Sequence, residues 1–190
     1  MLSAVAIGLR GFQFLFSVVV LGLAATLISG QVVGNSPTTT RYSTFTGGFG
    51  LIVAAVGVAG LFISAIPELI VLGLDALAGV FFIAGGIAWA IGLKGVTCSL
   101  NGDSTNNEYI AALNNELINQ GSIDTSEGKG YGVYKDTTDI NVAIERLAGN
   151  CKKGLSDEVM QFILFAIAIG LIVLGYIRMR KGGKTGSTYV

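Results

Sequence analysis

The sequence predicts an all-α membrane protein: a bundle of four transmembrane helices with a small, disulfide-closed extracellular cap between helices 3 and 4. Hydrophobic residues make up 52% of the chain and charged residues only 13%, whereas soluble domains carry about a quarter charged residues. Several apolar stretches are long enough to cross a hydrocarbon layer of about 30 Å. The one long hydrophilic segment, residues 94–157, contains most of the acidic side chains.

Composition also excludes several functions. The net charge is zero, so no basic excess indicates nucleic acid, and the absence of His excludes His-based catalysis and most transition-metal sites. The 190 residues suffice for one bundle and a cap, so we expect a single domain over 1–190. We expect no catalytic residue, no metal and no cofactor, although structural lipids or a sterol could bind.

Helix 1 is expected over about residues 5–29. Its start resembles a signal peptide, but the apolar stretch 11–29 exceeds the roughly 7–15 residues of a signal's hydrophobic region, which favours an uncleaved helix. Arg10 lies near its beginning and could extend toward the lipid headgroups. The polar segment 30–46 contains Pro37 and is expected to be a loop.

Helices 2 and 3 are expected over about 47–66 and 68–93. The short link at Pro67 makes them an antiparallel hairpin. Both helices carry small residues three and four positions apart, which permit close helix packing in lipid. These positions are Gly50, Ala54, Gly57 and Gly60 in helix 2, and Ala84, Gly86, Ala88 and Ala90 in helix 3. Trp89 is expected in the interfacial aromatic belt.

The hydrophilic segment is expected to fold as a cap. Apolar stripes predict helices over 104–120, with a Ser104 or Thr105 N-cap, and over 139–148. The Gly-rich stretch EGKGYGVYK between them predicts a turn or short hairpin. Helix 4 is expected over about 157–178, beginning at a Ser156 cap.

A basic tail over 179–190 follows helix 4. Residues 178–190 contain four cations and no acidic residue: Arg178, Arg180, Lys181 and Lys184. Short basic flanks face the cytosol, so both termini are expected there and the 94–157 loop outside. The cations could bind anionic lipid or serve only to set the topology.

The two cysteines, Cys98 and Cys151, lie near the two ends of this loop. On the oxidising side of the membrane they are expected to form a disulfide, which would contribute roughly 3–4.5 kcal/mol by restricting the unfolded chain. The alternative is two free thiols, which an oxidising compartment disfavours.

Asp75 interrupts the apolar stretch of helix 3, and an Asp at mid-helix costs about 2.5–3.5 kcal/mol to insert. One interpretation is a proton or cation site. The other is a structural contact with Arg10 or Gln13 of helix 1, which should lie at a similar depth. We favour the structural contact, because one carboxylate without a second acidic group or a His in the spans makes a poor relay. Polar groups in the predicted spans are nearly limited to Asp75, Gln13 and Thr26, which argues against a hydrated path through one bundle.

Specific residues resemble the four-span MARVEL-domain proteins, in particular the fungal members related to non-classical export and eisosome organisation. The matching features are Arg10 with the aromatic run FQFLF, the short hairpin after helix 2, Leu74-Asp75 followed by FFIAG, and a Cys soon after helix 3. The resemblance covers 2–94 and 159–180. The long loop is larger than in the eisosome-organising relatives, which suggests an extracellular contact made by the cap.

The resemblance implies a function without enzymatic activity. We expect a plasma-membrane scaffold that organises microdomains, interacts with lipids, and forms a homo-oligomer or accompanies other integral membrane proteins. The alternative is a small channel or transporter component that uses Asp75.

Overall fold

The computed structural model describes residues 2–63, 66–100, 107–126 and 128–182. Four long helices, α1, α2, α3 and α5, form a bundle, and each is apolar and long enough to cross a membrane. A small cap lies between α3 and α5 and contains a short helix, a two-stranded hairpin and a 3₁₀ turn. The elements in chain order are α1 (Leu2–Ser29), α2 (Thr38–Phe62), α3 (Glu68–Gly92), α4 (Asn107–Leu113), β1 (Ser122–Thr125), β2 (Gly128–Tyr131), the 3₁₀ turn Gly132–Tyr134, and α5 (Ile140–Gly182).

Buried positions recur every three or four residues along each long helix, a spacing typical of antiparallel bundles. In α1 they are Ala6, Arg10, Gln13, Ser17, Val20, Ala24 and Leu27. Helices α1 and α3 each pack against both α2 and α5. Consequently α1 lies opposite α3, and α2 lies opposite α5. We call the end of the bundle with the chain termini the termini side and the other end the cap side.

Helix α2 begins at Thr38 rather than near residue 47, so the predicted loop over 30–46 is too long. Its polar first turns are helical because small hydroxyl side chains face the bundle interior: Thr40, Ser43 and Thr46 are buried. The Thr46 hydroxyl donates to the Ser43 carbonyl oxygen at 3.0 Å, which satisfies it within its own helix. The helix ends at Phe62, four residues before the predicted end.

Helix α5 is one continuous helix of 43 residues, so the predicted separate helix over 139–148 and the Ser156 cap are wrong. The helix begins after Asp139, whose Oδ1 accepts the backbone N–H of Asn141 at 2.8 Å as an N-cap does. Gly154 stays helical because it lets α5 approach α3: a Cβ there would lie 2.7 Å from the Trp89 ring. At 1.5 Å per residue α5 is about 65 Å long, so its first part rises into the cap.

The cap shares a hydrophobic core with the cap side of the bundle. Trp89 and Leu93 from α3 pack in one cluster with cap residues such as Tyr109 and Val133. The predicted turn or hairpin is an antiparallel hairpin of β1 and β2, while the predicted helix over 104–120 is only α4; Ser104 and Thr105 lie outside the described residues. Burial raises the pKa of Tyr109, whose hydroxyl bonds that of Tyr134.

The predicted disulfide between Cys98 and Cys151 is confirmed. Their Cα atoms are 5.3 Å apart across a sequence separation of 53 residues. The bond joins the chain just after α3 to the part of α5 that rises into the cap. It therefore ties both ends of the cap to the bundle.

Candidate functional site: two polar layers in the bundle

A cluster that we call the termini-side layer consists of Arg10, Gln13 and Asp75. Arg10 Nη1 donates to Asp75 Oδ1 at 2.5 Å and Nη2 donates to Asp75 Oδ2 at 2.6 Å. Arg10 Nη1 also donates to Gln13 Oε1 at 2.8 Å. All three side chains are buried. This two-point guanidinium–carboxylate geometry joins α1 to α3, the two helices that lie opposite each other.

Small residues of α2 make room for this layer. A Cβ added at Gly57 would lie 2.2 Å from Arg10 Cζ, so only glycine leaves space for the guanidinium. Gly50 lies against Ser17 and Phe82 in the same way, and Ala54 is buried. Gly60 is half-buried, and a Cβ there would lie 3.0 Å from Val71. The four small residues predicted in α2 thus line its packed face.

A second cluster, the cap-side layer, consists of Ser43, Trp89, Asp157 and Gln161. Ser43 Oγ accepts hydrogen bonds from Trp89 Nε1 at 2.6 Å and from Gln161 Nε2 at 2.9 Å. Gln161 Nε2 also donates to Asp157 Oδ1 at 2.7 Å. The cluster joins α2 to the opposite helix α5, with α3 contributing the indole. Trp89 is fully buried, so the prediction that it lies in the interfacial belt is wrong.

A layer that is apolar apart from the Ser17 hydroxyl separates the two polar layers. Its fully buried apolar members come from all four long helices and pack as one cluster: Val20, Val53, Ala78, Phe82 and Leu164. Along α3, Asp75 and Trp89 are fourteen residues apart, which corresponds to about 21 Å. The two layers therefore do not contact each other.

The prediction that polar groups inside the spans are nearly limited to Asp75, Gln13 and Thr26 is wrong. Thr26 is exposed and bonds its own helix at the Leu23 carbonyl. The buried polar side chains that were missed are Ser17, Thr40, Ser43, Thr46, Asp157 and Gln161. Their burial could have been predicted from the sequence, because they continue the three- and four-residue spacing of the apolar stripes in their helices.

The small residues of α3 divide between two faces. Gly86 is buried, and a Cβ there would lie 3.0 Å from the Phe162 ring. Ala84 and Ala90 are exposed on the outside of the bundle, and Ala88 is half-buried. The missed position is Gly85, where a Cβ would lie 1.8 Å from Gln161 Oε1. Gly85 therefore leaves the space in α3 that the Gln161 side chain of the cap-side layer occupies.

A cavity of about 370 Å³ lies at the termini side, between the four long helices. It reaches the Arg10–Asp75 pair and is also lined by Glu68 and Arg178. Nearby, the Arg180 guanidinium lies 5.6 Å from the centre of the Tyr176 ring, near the end of α5. Of the other predicted tail cations, Lys184 lies outside the described residues, as does the side chain of Lys181.

Comparison with known protein families identifies a family model that matches this chain. The family model of MARVEL, a membrane-associating domain, matches residues 3–119, more than half of the 190-residue chain. The chain belongs to the MARVEL family. No match is found among curated proteins or among solved structures.

The MARVEL match includes α1, α2, α3 and α4 and ends within the cap. Helix α5 then supplies the fourth side of the bundle. The protein is an integral membrane protein whose four apolar helices contact lipid on their outer faces. The residues of both polar layers that come from α1, α2 and α3 lie within the MARVEL match, whereas Asp157 and Gln161 lie beyond it.

Proposed function

We propose that this MARVEL protein is a non-enzymatic scaffold that organises plasma-membrane microdomains. In this proposal it associates with copies of itself or accompanies another integral membrane protein. The observation that carries the proposal is the apolar layer, because it divides the interior of the bundle and leaves the outer faces of the helices as the surfaces for interaction. The family's description as a membrane-associating domain supports the same function.

The outer face of α3 is the surface best suited to contact a second copy. Gly73, Ala76, Val80 and Ala84 are all exposed and follow one another at spacings of three and four residues, so they share one helix face. Small residues on such a face let two helices approach closely in lipid, where packing replaces the hydrophobic effect as the driving force. Nothing within the chain lies within 4 Å of a Cβ added at Gly73.

We place the termini in the cytosol and the cap outside the cell. The disulfide supports this orientation, because such bonds persist in oxidising compartments. The cations near the end of α5, Arg178, Arg180, Lys181 and Lys184, support it through the positive-inside tendency of short flanks. The same cations would attract anionic lipid of the inner leaflet.

The proposal is tested by Ala84→Phe, which places a ring on the small-residue face of α3. The matched control is Ala166→Phe, because Ala166 is also an exposed alanine, on α5. The number of copies per particle is counted by single-molecule photobleaching after extraction in native lipid. We expect Ala84→Phe to lower the copy number and Ala166→Phe to leave it unchanged, with equal thermal stability. An unchanged copy number for Ala84→Phe would refute self-association through this face.

A channel or transporter that uses Asp75 has less support, because both carboxylate oxygens of Asp75 bond Arg10 and the apolar layer blocks the way to the cap side. Asp75→Asn tests this alternative in reconstituted vesicles, with ion and proton flux measured beside the wild-type chain. If wild-type vesicles conduct and the folded variant does not, the scaffold proposal fails.

A further inference from the structure

Asp157 in the cap-side layer has an oxygen without a partner. Its side chain is fully buried, and Oδ1 accepts the hydrogen bond from Gln161. Among the described residues, neither Asp157 Oδ2 nor Thr40 Oγ1 has a hydrogen-bond partner. Helices α2 and α5 run in the same direction, so Thr40 and Asp157 each lie about one turn toward the cap from the bonded Ser43–Gln161 pair.

Among the described residues, none supplies a counter-ion for this carboxyl group. The side chains that face it are neutral: Ser43 from α2, Trp89 from α3 and Gln161 from α5, while α1 presents Ala24 and Leu27 at this level. The charged residues closest to these positions in sequence are all less buried than Asp157. Arg41 and Lys94 are exposed, and Lys153 and Glu158 are half-buried. No described cation lies within ion-pair distance of Asp157.

Burial therefore makes the ionised form of the Asp157 carboxyl group unfavourable. An ionised carboxylate that is buried without a counter-ion costs more free energy than a neutral polar group buried in the same place. A bound cation could also neutralise the site. However, two N–H groups, Trp89 Nε1 and Gln161 Nε2, point into the layer. Their positive ends disfavour a cation there, and the Gln161 donor partly offsets the cost of the ionised carboxylate.

We propose that Asp157 is a buried proton-binding site that takes up a proton in mildly acidic conditions. The neutral acid lets α5 pack against α2 and α3 at the cap side. When the proton leaves, the uncompensated charge weakens this packing, while the nearby Cys98–Cys151 bond keeps the cap attached. The site is thus a proton-dependent contact between the bundle and the cap, separate from the interaction surface proposed for α3.

The first test is infrared spectroscopy of the full chain in lipid nanodiscs at about pH 5, where the folded site should carry its proton while an ordinary Asp has lost it. A protonated carboxylic acid has a carbonyl stretch that a carboxylate lacks. We expect this band in the wild-type protein and in Asp75→Asn, and we expect Asp157→Asn to lack it. The absence of the band from the wild-type protein, or its persistence in Asp157→Asn, would overturn the proposal.

The second test is the pH dependence of unfolding. In the unfolded chain an ordinary Asp loses its proton near pH 4, before the folded site does, so folding should become less favourable as pH rises from about 4 to 6. We expect the unfolding equilibrium constant of the wild-type protein to rise by up to about tenfold per pH unit. Asp157→Asn, which mimics the neutral acid, should fold normally and lack this component.

Three results would contradict the proton site in this second test. One is a variant Asp157→Asn that fails to fold, and another is an equal pH dependence in wild-type and variant proteins. The third is a wild-type stability that follows sodium or potassium concentration at fixed pH, which would assign the site to a cation. Glu145→Gln is the control, and it should keep the wild-type pH dependence because Glu145 is an exposed residue of α5 outside both layers.

Discussion

The termini-side and cap-side layers each bury one carboxyl group between helices, yet only Asp75 has a counter-ion. Asp75 shares two hydrogen bonds with Arg10, whereas Asp157 receives one from the neutral amide of Gln161. Charge in the first layer is cancelled by a partner on the opposite helix, and in the second we propose that it is cancelled by a proton. The comparison indicates that the neighbours of a buried acid, more than its depth, decide whether a counter-ion or a proton neutralises it.

The largest expected effect comes from breaking the ion pair of the termini-side layer. Asp75→Ala leaves the buried Arg10 cation without its partner and should lower the free energy of unfolding by about 3–5 kcal/mol. The double variant Arg10→Met with Asp75→Leu removes both charges and should lie closer to the wild type. Unfolding by denaturing detergent in mixed micelles measures both. Equal losses for the single and double variants would show that packing, and not charge, dominates this layer.

The next effect should come from the disulfide, which lies beside the cap-side layer. Replacing Cys98 and Cys151 by Ser removes the restriction on the unfolded loop and should cost about 3–4 kcal/mol. Trp89, the only tryptophan in the chain, should report this loss by a red shift of its fluorescence at lower denaturant than in the wild type. A normal stability with both thiols replaced would mean that the cap core holds without the bond.

The smallest expected effects come from substituting the glycines that leave space for each polar layer. Gly57→Ala would press against Arg10 and Gly85→Ala against Gln161, and each should cost about 1–3 kcal/mol. We expect the larger loss at Gly57, because the hydrogen bonds of the Arg10–Asp75 ion pair are charge-assisted and stronger than bonds made by the neutral amide of Gln161. Unfolding of each variant in micelles provides the values.

Gly22→Ala is the matched control for these glycine variants. A Cβ there would have nothing within 4 Å, and alanine favours helices over glycine by up to about 1 kcal/mol. The control should therefore be neutral or more stable than the wild type. A larger loss at Gly85 than at Gly57 would reverse the comparison of the two layers.

Much of the architecture could be predicted because it depends on local properties of the chain. The length of the apolar stretches predicted four spans, and the placement of Cys98 and Cys151 in one hydrophilic segment predicted the disulfide. The predicted start and end of α2 and the predicted start of α5 were less accurate. Thr40 and Ser43 look like loop residues by composition, and their helical state depends on hydrogen-bond partners that other helices supply.

The candidate site was only partly visible in the sequence. Asp75 stood out because it interrupts an apolar run, and the depth of Arg10 and Gln13 in helix 1 made them candidate partners. Asp157 did not stand out, since it lies at the edge of a hydrophilic segment where acidic residues are common. Its burial follows from the continuous α5 helix, which carries it into the bundle beside Trp89.

The sequence by itself determined that the chain spans a membrane, which segments are apolar enough to do so, and which two cysteines can pair. Each of these follows from composition and spacing along one chain. Only the tertiary structure decided which side chains meet: Arg10 with Asp75 across one diagonal of the bundle, and Ser43 with Gln161 across the other. Such contacts depend on the rotation and register of each helix against its neighbours, and these are set by packing of all four helices together.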